Sequence, residues 1–324
     1  MNNHTSVPVG VLGASGYVGQ ELMRLLAGHP GATVAFATAE SAAGEWIEGR
    51  QLIRADDAPF AEAEIVLSAL PHGVSARYVH EARAGGSRAI DLSADFRLSP
   101  DAVYGLTEFT RPRLSDAELV ANPGCYPTAA LLALIPLAQL GLIDASREII
   151  VDAASGVTGA GRNPKRELLF GEVSEDFRAY AAGNTHRHLA ELRQSLSREG
   201  GFTGDLVFTP HLLPVKRGIL ETIHVPLTRV LDQATAEGLY AATYDGEPCI
   251  HVMHGALPSL KDVVYRNRVA LGVVPVADVR RPRLTVIAAI DNLVKGAAGQ
   301  AIQNMNVMLG LPETMGLEAP AVYP

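Results

Sequence analysis

The hydrophobic pattern changes texture once along the chain, near Pro127. Before it, short apolar runs alternate with stretches of helical spacing. Val7–Leu12 is an apolar run closed by Gly13, and Tyr17 to Ala27 then puts Val18, Leu22, Leu25 and Leu26 on one helical face. Thr33–Ala37 and Ile65–Leu70 read as buried strands, Val74 to Ala84 as a helix and Arg88–Leu92 as a strand. Short buried strands alternating with helices predict a parallel, doubly wound sheet. After Pro127, a helix over Thr128 to Leu140 and a strand over Ile149–Ala153 lead into a glycine-rich loop, Ser155 to Arg162. Longer strand-like segments follow at Leu206–Pro210, Ile219–Leu227, Asn267–Val274 and Leu284–Ile290, separated by helical Ala190–Arg198 and Gln233–Tyr244. Long strands with few crossover helices predict a second domain with a mixed or antiparallel sheet. The tail, Lys295 to Leu309, is helical and is expected to pack back on the first domain.

Composition narrows the function classes. The chain has 324 residues, 48% hydrophobic and 19% charged, with 27 Lys+Arg against 35 Asp+Glu for a net charge of −8. That is a globular balance, long enough for two ordinary domains. A mildly acidic surface argues against nucleic acid or an anionic membrane as the main partner, so a site for an anionic small molecule must gather its own Arg and Lys. The two cysteines, Cys125 and Cys249, indicate no disulfide framework and fit a reducing cytoplasm. Met1 to Val7 lacks an apolar signal core, and the best apolar stretch, Ala129 to Ala138, is shorter than the ~18 residues of a membrane helix and contains Pro136.

Two segments carry candidate chemistry. Gly13-Ala14-Ser15-Gly16-Tyr17-Val18-Gly19 follows a strand and opens a helix. Small residues there let the backbone approach a pyrophosphate, and the helix N-terminus offers unpaired N–H groups. The spacing is G-x-x-G-x-x-G, a weak signal by itself; its place after the first buried strand is what favours a dinucleotide over a tight turn. The end of the second strand distinguishes NAD from NADP. It reads Thr38-Ala39-Glu40-Ser41: Thr38 and Ser41 could bond a 2′-phosphate, whereas Glu40 would repel one, so the residues leave NADP and NAD both open.

The second segment is Asn122-Pro123-Gly124-Cys125-Tyr126-Pro127-Thr128. Pro127 suits the first turn of a helix, which puts Cys125 at a helix N-terminus, where a thiol ionises more easily and backbone N–H groups can meet an oxyanion. A lone cysteine is more often a buried apolar residue, and Cys249, in a strand-like segment, is left with that reading. A thiolate beside a nicotinamide implies an acyl thioester reduced by hydride. His186, His188 and His211 are the candidates for moving protons; the His-x-His pair lacks partners for a metal site, and no metal is expected.

On these stretches the chain resembles N-acetyl-gamma-glutamyl-phosphate reductase, a relative of aspartate-semialdehyde dehydrogenase. The resemblance extends to Leu70–Gly73, Asp91–Arg97, Ser155–Arg162, His186-Arg187-His188, Phe208–Pro214 and Asp291–Ala301, in family order over nearly the whole chain. It implies an α/β fold, a Rossmann-type doubly wound parallel sheet (1–125 and 295–324) plus an α+β substrate and dimerisation domain of mixed sheet (126–294). It implies NADP(H), a small anionic acyl-phosphate substrate, and a homodimer or homotetramer. It implies Cys125 as nucleophile and His186 as acid/base. Arg97, Asn122, Arg162, His188 and His211 are expected on the substrate; Gly13, Ser15, Gly16, Tyr17, Val18, Gly19, Thr38, Ser41, Pro71, Gly156 and Asn292 on the cofactor. Three departures stand out: Ala39-Glu40-Ser41 where members often carry Ser-Arg-Ser, Ala190 in place of a proline, and a segment between Arg97 and Asn122 that looks short. Another acyl phosphate, aspartyl or carrier-bound alpha-aminoadipyl, and a non-catalytic NADP-sensing regulator are the alternatives.

Overall fold

The structure is a computed structural model, and it describes residues 6–318. Residues 1–5 and 319–324, which the expected domain limits include, lie outside the described residues. The chain divides into two compact units, one of residues up to Gly124 together with those from Ala297, the other of Cys125–Gly296.

The first unit contains β1 (Val7–Leu12), α1 (Tyr17–Ala27), β2 (Ala32–Thr38), β3 (Trp46–Ile47), β4 (Arg50–Ile53), β5 (Ile65–Ser68), α2 (Ser75–Ala84), β6 (Arg88–Asp91), β7 (Val103–Tyr104), α3 (Thr107–Leu114) and β8 (Leu119–Ala121). Its sheet order is β3-β4-β2-β1-β5-β6-β8-β7, parallel except for the β3–β4 hairpin. The strand order reverses at β1, so loops at the carboxyl ends of β1, β2 and β5 face a common crevice, where such sheets bind ligands. The Asp91–Arg97 segment acts as a brace. Asp91 accepts from the Ser75 hydroxyl at 2.5 Å and the Ser93 hydroxyl at 2.7 Å, and Asp95 caps α2 by accepting from the Gly73 and Ala76 N–H groups.

The second unit contains α4 (Cys125–Gln139), β9 (Ile149–Gly156), α5 (Phe170–Val173), β10 (Arg178–Ala179), α6 (His188–Gly200), β11 (Leu206–Leu213), β12 (Ile219–Pro226), α7 (Gln233–Thr243), β13 (Ile250–Val252), β14 (Val269–Pro275) and β15 (Arg283–Ile290). Its mixed sheet has the order β10-β11-β9-β12-β15-β14-β13. Alternate residues such as Ile149, Val151, Ile219 and Ile223 are buried on one face. α4 packs against β12, β15, α6 and α7, which explains why it is apolar on every side. On the other face Ile150, Ala154, Thr222 and Ile287 are half-buried and Val207 is exposed. Among the described residues, no helix is long and apolar enough to cross a membrane.

The tail differs from a plain helix. Val294–Ala298 forms a π-helix, and α8 (Gly299–Met308) follows, packing on α1, α3 and β6. Gly296, expected with the first domain, groups with the second unit: its N–H bonds the Asp291 carbonyl at 2.9 Å, and a Cβ on it would lie 2.9 Å from the Cβ of Cys125.

Candidate active site

The glycine loop has the geometry a dinucleotide needs. Gly13 has φ +76°, and a Cβ on it would meet the Ala69 carbonyl oxygen at 2.7 Å; one on Gly19 would lie 2.1 Å from the Gly13 carbonyl oxygen. Side chains are therefore excluded at both ends of the turn, and Gly16 sits between them as the N-cap of α1. Among the described residues no side chain caps α1, and its first turn holds no acidic residue. The N-terminal N–H groups, including those of Tyr17 and Val18, carry the positive end of the helix dipole with no carboxylate competing for it. Ser15 and Gly16 are half-exposed, Tyr17 is exposed, and Pro71 is exposed after β5. These residues fit a pyrophosphate-bearing cofactor.

Thr38 requires a correction. It is fully buried, and its hydroxyl accepts from the Gly13 N–H at 3.3 Å while its carbonyl accepts from Ala14 at 2.8 Å. It shapes the loop and does not reach out to a phosphate. Ser41 is exposed, as is Glu40, whose carboxylate pairs with Arg54 at 2.9 Å.

Cys125 is the first residue of α4 and is half-exposed, unlike the wholly buried Tyr126 to Leu137 that follow. Neither cysteine is in a disulfide; Cys249 is buried and accepts from the Asn267 amide at 3.3 Å, as an ordinary core thiol. Around Tyr126 gathers an aromatic cluster: His186 at 5.6 Å between ring centroids, His188 at 5.8 Å and Phe208 at 5.3 Å. The Tyr126 and Tyr180 hydroxyls are 2.8 Å apart, and Tyr180 also meets the His186 ring edge-on at 5.8 Å. Burial, then the nearby Cys125 charge, pushes the Tyr180 phenol up to about 12, against the opposing bond from Tyr126. Burial raises Tyr126 further still. Of the two, Tyr180 is the better proton donor.

Burial, and after it the Arg187 charge, pulls His186 down to about 4, so its imidazole is neutral at pH 7. Its Nδ1 accepts from the His188 N–H at 3.2 Å, which assigns the ring proton to Nε2. The ring therefore offers a donor at Nε2. His188 itself is buried, with its ring 4.8 Å from that of His186.

Other expected residues fall into two sets. Arg162 is exposed at the end of the glycine-rich loop, and His211 is half-buried on β11, stacked on Phe177 at 5.2 Å. The second set is tied into the surrounding backbone. Asn122 is 1% exposed; its amide donates to the Ala297 carbonyl at 3.2 Å and its oxygen accepts from Asn304 at 3.2 Å, so it is corrected from a substrate contact to a clamp on the turn before Cys125. Arg97 is also buried, donating to the carbonyls of Asn122 and Leu92 at 2.9 Å each. Asn292 accepts from the Gly218 N–H at 2.7 Å and donates to the Thr158 hydroxyl at 3.0 Å, tying the glycine-rich loop to the start of β12. A Cβ at Gly156 would lie 2.9 Å from the backbone of Lys216 and Arg217, so its glycine serves close chain packing.

Comparison with known proteins places this constellation. The semialdehyde dehydrogenase NAD-binding domain matches residues 8–117, and the semialdehyde dehydrogenase dimerisation domain matches residues 125–292. N-acetyl-gamma-glutamyl-phosphate reductases of Citrifermentans bemidjiense and Marinobacter nauticus are 44% and 42% identical, each over 98% of this chain and 100% of the relative. The chain belongs to the N-acetyl-gamma-glutamyl-phosphate reductase family. Solved structures share the fold of this family. Aspartate semialdehyde dehydrogenase II of Vibrio cholerae superposes with a TM-score of 0.79 at 18% identity, covering 94% of this chain and 99% of that one. The aspartate semialdehyde dehydrogenase of Candida albicans, solved with NADP, has a TM-score of 0.72 at 17% identity, covering 94% and 99%. Within a family of reductases, what pattern reading missed is the setting of the thiol: Tyr180 and Gly296 reach it only through tertiary packing. The apolar-flanked Tyr180 carries no local signal for this, and Gly296 sits in what reads as an ordinary helix.

Proposed function

We propose that the chain reduces N-acetyl-L-glutamyl 5-phosphate to N-acetyl-L-glutamate 5-semialdehyde with NADPH, releasing phosphate, as the names of its relatives indicate. The observation that carries the reading is Cys125: half-exposed at the head of a buried helix, close to the Tyr126–Tyr180 pair, against which the neutral His186 ring packs. The Cys125 thiolate attacks the acyl carbon, a C–S bond forms, and the bond from carbon to the phosphate oxygen breaks. Arg97, aimed by its two carbonyl bonds, and Arg162 receive the phosphate through charge-assisted bonds. A reduced nicotinamide, held by the Gly13–Gly19 loop, would supply the hydride that reduces the thioester. The Nε2–H of His186 and the Tyr180 hydroxyl donate hydrogen bonds that hold the resulting oxyanion until it collapses. The C–S bond then breaks, freeing the aldehyde and the thiolate. His188 and His211 line the substrate side of this chemistry. Asn292 and Gly156 act on the cofactor side by shaping the loop between them.

The cofactor is held by the Gly13–Gly19 loop, and NADP is the form proposed. The half-buried sheet face bearing Ile150, Ala154, Thr222 and Ile287 is proposed to pair with a second copy, which suits the dimerisation-domain match. Two cysteines outside any disulfide suit a cytoplasmic setting. Identities of 42–44% to reductases of one name disfavour aspartyl or carrier-bound substrates and a non-catalytic regulator.

The test is phosphate-dependent oxidation of N-acetylglutamate semialdehyde, the reverse reaction, with NADP and NAD in parallel. Turnover that requires phosphate and vanishes in Cys125→Ser is the expected result. Protein that binds nucleotide yet turns over nothing would contradict the substrate assignment.

A further inference from the structure

Glu40 follows the end of β2, where a carboxylate favours ribose hydroxyls and opposes a 2′-phosphate. β4 runs parallel to β2 with Ile53 opposite Thr38, and the Ala39 N–H bonds the Ile53 carbonyl at 2.9 Å. Residue 54 therefore leaves β4 alongside Glu40. The Arg54 guanidinium lies 2.9 Å from the Glu40 carboxylate, with both side chains more than half exposed, 57% and 55%. Such an exposed pair holds weakly and exchanges readily. The neighbouring arginine, Arg77, is shared between Asp56 at 3.0 Å and Glu81 at 2.9 Å, and Tyr78 adds a bond to Asp56 at 2.9 Å. Arg77 is held by two carboxylates in direct contact, whereas Arg54 directly contacts Glu40 and acts on Asp56 only as a more distant charge.

We propose that Arg54 is the residue that recognises a 2′-phosphate on the adenosine ribose of the dinucleotide, with Glu40 as its resting partner. The inference rests on the nucleotide reading of the Gly13–Gly19 loop. The guanidinium leaves a singly charged carboxylate for a phosphate of nearly twice the charge and three acceptor oxygens. Because both side chains are exposed, little desolvation opposes the exchange. Glu40 is thereby both a counterion and a brake: it neutralises Arg54 in the free protein and competes with the phosphate in the bound one. Without Arg54, Glu40 is left to accept from ribose hydroxyls, the arrangement that suits NAD. The cation arrives from β4, so a search for it along the end of β2 finds only the acid.

Titration calorimetry on the full chain with adenosine 2′,5′-bisphosphate and with AMP tests this without turnover. Unaltered protein should prefer the bisphosphate by about tenfold or more, the scale of one bidentate charge-assisted contact. Arg54→Ala should erase that preference while AMP affinity stays within about twofold, and Glu40→Gln should widen it. A bisphosphate preference that survives in Arg54→Ala overturns the proposal. So does an equal loss of both nucleotides, which would make Arg54 a prop for the loop. Unaltered protein that binds AMP without preference overturns the 2′-phosphate assignment and leaves the nucleotide loop standing; protein that binds neither overturns both.

Discussion

His186 and Glu221 are two buried titratable groups whose surroundings assign them opposite behaviour. His186 accepts at Nδ1 from a backbone N–H and sits among rings, which leaves Nε2–H as its one donor and keeps it neutral. It should therefore show no titration between pH 5.5 and 8 by NMR of its ring protons; a midpoint near the ordinary 6.5 would contradict the donor role. Glu221 lies on the buried face of β12 between Ala153 and Ala288, fully buried, and neither oxygen has a hydrogen-bond partner among the described residues. Burial raises its carboxyl well above the usual 4.5. The sign follows: above that value the unfolded chain ionises Glu221 while the folded chain keeps it protonated, so stability falls as pH rises. Glu221→Gln removes this loss, and its melting temperature should gain on the unaltered protein as pH rises above 5. A constant difference would show the carboxyl to be ionised in the fold. Cys125 and the loop glycines were legible as residues because their chemistry is local: a thiol before a proline-started helix, and small residues between strand and helix. Asn122 and Thr38 were legible as important but not in role, since a polar side chain in a motif reads the same whether it faces a ligand or a neighbouring backbone. Tyr180 had no signal at all before β10 and β11 brought it to Tyr126.

α4 shows how an element tolerates its own faults. Pro136 lacks an N–H, which strips the Leu132 carbonyl of its helical partner. The Tyr244 hydroxyl donates to that carbonyl, and the Tyr240 hydroxyl to the next one, Ala133, at 2.5 Å. Tyr244→Phe leaves a buried carbonyl unpaired and should cost about 1–3 kcal/mol by denaturant unfolding, with turnover per folded molecule unchanged. The π-helix at Val294–Ala298 is a second case. Its wide turn brings Gly296 against Cys125, where a Cβ would lie 2.9 Å from that of the cysteine. Gly296→Ala should slow alkylation of Cys125 by iodoacetamide while leaving nucleotide binding intact; unaltered alkylation would show that the contact relaxes without moving the thiol. Element types were readable from period, and the interiors of most strands fall within the ranges read from the sequence. Ends were not: β9 runs on to Gly156, where ladder bonds with β11 and β12 outweigh poor strand residues, and α4 begins at Cys125, because a helix N-terminus can accept residues ahead of its proline. The π-turn is invisible to a 3.6-residue pattern, since its apolar positions match either winding.

At the scale of the whole molecule, the chain divides after Gly124, and each unit has its own sheet. The first sheet is parallel and covered, as βαβ connections require, and the second is mixed with helices on one face. Its other face, with half-buried Ile287 next to Thr222 across the ladder, should be where two copies meet. Ile287→Asp is expected to shift the protein to monomer in sedimentation velocity at micromolar concentration, and an unchanged distribution would place the interface elsewhere. The central claim, however, is chemical: acyl transfer passes through Cys125. Intact-mass spectrometry after mixing the protein with N-acetyl-L-glutamyl 5-phosphate, in the absence of reduced nucleotide, tests it most directly. An N-acetylglutamyl adduct that maps to Cys125, disappears on adding NADPH and never forms in Cys125→Ser is the predicted result; reduction by a Cys125→Ser protein at an undiminished rate would contradict it.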